Sequence, residues 1–90
     1  MLHQETNREE AATWGLQALG WTLSDDHRAE RFLALTGLTP DTLRGSAGSP
    51  TVLAGVIRFL EAHEPDLLAC AEALGTSPAA LVAAGRRLEG

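Results

Sequence analysis

The chain has 90 residues, 44% of them hydrophobic and 21% charged, and carries a formal net charge of −5. That is the composition of a folded domain with one modest core, not of a disordered chain or a pair of domains. All seven basic residues are arginine, and the acidic excess opposes attachment held mainly by nucleic-acid phosphates or by anionic lipid.

The first ten residues, MLHQETNREE, are polar and hold no apolar signal-peptide core. Residues 1–5 read as a frayed lead to a single domain spanning 1–90. Thr6 to Glu9 has capping-box spacing, and Glu9 and Glu10 suit the positive end of a helix that runs to about Leu23. Ala11, Trp14, Ala18 and Trp21 recur along it at helical spacing. Gly15 and Gly20 interrupt that helix at a cost of about 1 kcal/mol each against alanine, and are expected to make room for a neighbouring helix.

Ser24 is placed to cap a second helix, with Asp25 and Asp26 in its first turn and Ala29, Phe32 and Leu33 facing inward. Gly37 supplies the left-handed residue that stops it, with Leu38 folding back on Leu33 in a Schellman arrangement. Thr39 and Pro40 then start a short third helix to about Ser46, with Leu38 and Leu43 at the spacing of a hydrophobic staple. Ser49-Pro50 opens a fourth helix. Its apolar residues Val52, Leu53, Val56, Ile57, Phe59 and Leu60 cover more than one face, which places it at the centre of the core.

That helix ends before Pro65, since the residue preceding a proline is pushed out of helical geometry. Pro65 opens a fifth helix with Leu67, Leu68, Ala71 and Leu74 facing in, and Gly75 stops it. Ser77-Pro78 opens a sixth that reaches Arg87. No segment alternates with period two for long enough to form a strand. The expected fold is all-α: a small orthogonal bundle of about six helices around Trp14, Trp21, Phe32, Val56, Phe59 and Leu67.

Gly37 with Gly75, Pro40 with Pro78 and Leu43 with Leu81 share a constant offset of 38 residues. Two similar three-helix halves would produce this echo. So would any two helix–glycine–cap–proline–helix corners, and that plainer explanation is favoured; two units are also fewer than a solenoid needs.

The segment Arg31–Arg44, RFLALTGLTPDTLR, with the preceding Ala18-Leu19-Gly20-Trp21 and Asp25-Asp26, resembles the Domain of Unknown Function 3572 family. These are small bacterial proteins of about this length, and the resemblance covers nearly the whole chain. It implies a helical domain, and brings no catalytic or binding residues with it.

Chemistry-bearing patterns are sparse. His27 lies beside Asp26 and Glu30, and His63 beside Glu61 and Glu64, but neither histidine has the glutamate three residues earlier that bundle di-metal sites use. These carboxylates sit in first and last turns, where solvated charge is usual, so no metal or cofactor is expected. Cys70 is the sole cysteine, which excludes an internal disulfide and suits a reducing compartment. Glu72, the nearest following charge, has the wrong sign to activate a thiolate, so Cys70 reads as a buried structural residue. No serine sits in a Gly-x-Ser-x-Gly elbow, and without lysine there is no phosphate-binding loop. No catalysis is expected.

Residues 68–88 have the small residue, turn glycine and packing residue of a helix-turn-helix at Ala71, Gly75 and Leu81. A recognition helix must also present polar side chains to base edges. Here those positions are Pro78, Ala79, Ala80 and Ala83. DNA binding through 68–88 is therefore the second reading. The first is a cytoplasmic, non-catalytic module that contacts another protein or a second copy of itself. The candidate surface is Trp14 on the first helix, with Arg86, Arg87 and Leu88 at the rim of the alanine-rich sixth. Tryptophan is favoured at binding hot spots, although helical spacing also suits both Trp14 and Trp21 to a core.

Overall fold

Two glycines with left-handed backbone, Gly37 at φ 75° and Gly75 at φ 73°, each close a helix. Only a residue without a Cβ takes that conformation freely. In the computed structural model the described residues run from Leu2 to Glu89, with side chains described from Glu9 onward. They form six helices: α1 (Leu2–Leu23), α2 (Asp26–Thr36), α3 (Pro40–Ser46), α4 (Pro50–Glu61), α5 (Glu64–Leu74) and α6 (Pro78–Glu89). There is no strand among the described residues, and the fold is all-α. No single helix is long and apolar enough to cross a membrane.

The backbone of α1 is helical from Leu2, earlier than a start at Thr6. The side chains of Thr6 and of the expected frayed lead, residues 1–5, lie outside those described. At the start of α2 the cap is Asp25 rather than Ser24. The Asp25 carboxylate accepts from the Arg28 N–H at 2.9 Å. Ser24 is unavailable because its hydroxyl donates to the Trp21 carbonyl at 2.6 Å, completing the end of α1.

The stop of α2 also differs from the expected form. Gly37 N–H bonds to the Leu33 carbonyl at 2.8 Å, while Leu38 N–H turns to the Thr36 hydroxyl at 3.3 Å. This is the single-bond left-handed stop. The Schellman pair occurs instead at the end of α5, where Thr76 N–H reaches Ala71 and Gly75 N–H reaches Glu72. Thr36 supplies an alternative acceptor that Leu74, its counterpart in α5, lacks. The start of α3 is doubly satisfied: Thr39 Oγ1 accepts from Thr42 N–H, and Thr42 Oγ1 accepts from Thr39 N–H at 2.8 Å.

Helices α1, α4 and α6 pack against one another, with α5 across α4 and α6 and α2 against α1 and α4. Glycines set the closeness of this packing. A Cβ on Gly15 of α1 would lie 2.9 Å from the Leu53 Cβ of α4, and one on Gly85 of α6 would lie 2.8 Å from Ile57 Cγ2. Gly20 is different, since nothing lies within 4 Å of its Cβ position, so it makes room for no helix.

Phe32, Leu53, Val56, Ile57, Leu60, Cys70 and Leu81 are fully buried, and α4 contributes four of these seven. Of the six residues expected to centre the core, Phe32, Val56 and Leu67 are buried. Trp14, Trp21 and Phe59 are half-buried and pack on its edge. Phe32 and Phe59 meet edge to face at 5.4 Å between centroids, fastening α2 to α4. The inner stripe of α5 is Leu67, Cys70, Ala71 and Leu74; Leu68 is turned out and 48% exposed.

Candidate interaction surface

Helices α1 and α6 run side by side, and between them lies a groove of ≈ 250 Å³. Ala11 and Trp14 from α1 and Ala80, Ala83 and Ala84 from α6 line it, with Glu10 and Arg87 contributing its charged side chains. The small α6 side chains leave the space, and half-buried Trp14 keeps part of its ring surface available beside them. Glu10 and Arg87 are both exposed, and neither forms an ion pair among the described residues.

Leu88 departs from its expected place. It is 6% exposed and packs toward α1, with Cδ1 3.3 Å from the Cβ position of Gly15. A helix lodged between α1 and α4 buries residues on both sides, so Leu88 belongs to the core rather than to the rim. The two arginines are exposed but diverge. Arg87 borders the α1–α6 groove, whereas Arg86 borders a separate depression with Arg58, Glu61, Ala62 and Glu89. There the Nε of Arg58 donates to Glu89 at 2.6 Å. The arginines thus stand among carboxylates and form no common basic face.

The corner formed by α5 and α6 is bent by 98°, within the range of helix-turn-helix units. Leu81, Ala84, Gly85 and Leu88 of α6 are nevertheless buried. Ala79 and Ala83 are exposed in its first turns and offer no hydrogen-bonding side chain to a base.

A second polar cluster joins α2 to α5. Arg31 Nη2 donates to Asp66 Oδ2 at 2.7 Å, and His63 Nδ1 lies 3.0 Å from the same oxygen. Arg31 also stands 5.3 Å from the Phe59 ring centroid. Burial works most strongly, to raise the Asp66 carboxyl, but the hydrogen bonds and charges of Arg31 and His63 together outweigh it and hold the group below its usual value near 3.8. Nearby Cys70 is fully buried. Burial pushes its thiol up to about 11; the Arg28 charge works against that rise and Asp66 adds to it. His27, Asp26, Glu30, Glu61 and Glu64 are exposed. No group of three or more His, Cys, Asp or Glu able to hold a metal occurs among the described residues.

Residues 8–90 match the family described as protein of unknown function (DUF3572). The chain belongs to this family. No curated protein and no solved structure matches the chain. The DUF3572 match spans the α1–α6 groove and the Arg31–Asp66 cluster alike, and the family description assigns neither of them a role.

Of the groove, Trp14, Arg87 and the alanine-rich face of α6 are legible in the sequence. Glu10 is not, because it reads as dipole compensation for α1 until the helices are docked. Arg28 is also missed; its guanidinium lies over the Trp21 ring, 3.6 Å from the centroid.

Proposed function

We propose that this DUF3572 protein is a non-catalytic interaction module that binds another protein chain through the groove between α1 and α6. The observation that carries this reading is the half-buried indole of Trp14 beside Ala80, Ala83 and Ala84. An aromatic side chain already held in place loses little freedom on binding, and small residues let a partner approach closely. A non-catalytic role is supported by the state of the polar groups. Cys70 is held as a protonated thiol, Arg58 and Arg31 are paired with carboxylates, and His27 and His63 stand at the surface. A free buried cysteine also fits a reducing, cytoplasmic setting.

The second reading, DNA binding through residues 68–88, is favoured by the 98° corner of α5 and α6 alone. Capture of the tagged protein from its own cells at low salt, with and without nuclease, separates the two. The proposal expects a protein companion that survives nuclease and is lost with Ala83→Arg, which fills the groove from an exposed position. Recovery of nucleic acid, with all companions released by nuclease, would overturn it in favour of the helix-turn-helix.

A further inference from the structure

We infer that the occupant of the α1–α6 groove is the same groove of a second copy of this chain, related by a two-fold axis. The inference rests on the interaction reading above and names its partner. A two-fold contact lays one patch on itself, so each feature must find its complement within that patch. This groove contains two such complements. The half-buried indole of Trp14 offers part of a ring surface, and Ala80, Ala83 and Ala84 supply the space for one. Glu10 and Arg87 supply one charge of each sign, from different helices.

Charge decides between a second copy and a strongly charged partner. Two copies of a chain with net charge −5 repel one another over most of their surfaces. Among its described lining residues the groove is charge-balanced. An antiparallel pairing sets Glu10 of each copy against Arg87 of the other, so charge does not oppose self-association on this face. A strongly basic or strongly acidic partner would find one of these two charges opposed. The depression at Arg86 is also charge-balanced, since the Arg58–Glu89 pair leaves Glu61 and Arg86, but it holds no aromatic ring for a second copy to receive.

Sedimentation equilibrium of the purified full chain tests the pairing. The wild type is expected to rise with concentration from 9.5 kDa toward twice that mass. Glu10→Arg alone and Arg87→Glu alone each place like charges together twice per dimer, weakening association by about tenfold or more. An equimolar mixture of the two single variants restores both pairs across the interface and is expected to associate as the wild type does. Ala83→Arg is expected to abolish association while leaving the helical circular dichroism unchanged.

A wild type that stays monomeric overturns the inference, as does a dimer indifferent to the single variants or not restored by mixing them. The interaction reading fails separately. If the wild type is monomeric but loses a cellular protein partner on Ala83→Arg, only the second copy is excluded. If capture is also indifferent to Ala83→Arg, both fall.

Discussion

The guanidinium of Arg28 lies 3.6 Å from the centroid of the Trp21 ring and donates from Nη2 to that residue's carbonyl at 2.7 Å. One side chain of α2 thus holds both the ring and the last turn of α1, a helix with no basic residue of its own at that end. A flat cation can stack and donate at once, and an ammonium cannot. Arg28→Ala is expected to cost about 1–2 kcal/mol in urea unfolding followed by tryptophan fluorescence. Arg28→Lys should lose most of the same amount. A lysine variant as stable as the wild type would show that charge alone suffices.

The helix crossings predict opposite signs for one kind of substitution. Gly15→Ala and Gly85→Ala press a methyl into Leu53 and into β-branched Ile57, and each is expected to destabilise by about 1–3 kcal/mol. Gly20→Ala meets open space in a helix interior and should stabilise by about 0.5–1 kcal/mol. Thermal unfolding of the three variants checks this, and the account fails if all three shift in one direction.

The bond between α2 and α5 should depend on acid. Asp66 has a folded pKa below its ordinary value, so its contribution is present above that value and is lost as pH falls through the folded one. Because Arg31 is half exposed, Asp66→Asn is expected to cost only about 1 kcal/mol at neutral pH. The difference from the wild type should shrink as pH falls through the folded value and vanish once Asp66 is fully protonated. A cost that persisted there would mean Asp66 acts through packing.

Cys70 should be silent to thiol reagents in the folded protein and react at the rate of opening. Its raised pKa has the opposite linkage. The stabilising contribution is complete below pH 9 and declines as pH rises toward 11. Cys70→Ala should flatten that alkaline decline while lowering stability at neutral pH through the lost packing.

How far these features are legible in the chain depends on how local their causes are. The Gly37-to-Pro40 corner and the bounds of α3 depend on neighbours within a few residues, and sequence reasoning places them where they occur. The choice between Ser24 and Asp25 as cap is decided by the Trp21 carbonyl, and the stop at Gly37 by the Thr36 hydroxyl; both are competing bonds that spacing does not rank. Cys70 is buried as expected, but Leu68 turns outward against its expected place because the inward face of α5 is set by the helices packed on it, not by hydropathy alone.

The longer-range features are the least legible. Leu88 is buried and Glu10 is brought to the groove only because α6 docks between α1 and α4. The echo at an offset of 38 residues likewise holds at the corners, where Gly37 and Gly75 share their backbone angle and Leu43 and Leu81 are both buried. It does not extend to length: α1 has 22 residues against 12 in α4, and α3 has 7 against 12 in α6.

The most direct measurement of the proposed contact face is site-specific photo-crosslinking in living cells, with the photoreactive residue at position 83 and a control at exposed position 73 on α5. The account predicts a discrete protein adduct from position 83, either a second copy or a different chain, and little from position 73. Equal labelling from both positions, no adduct from position 83, or an adduct to nucleic acid there would contradict it.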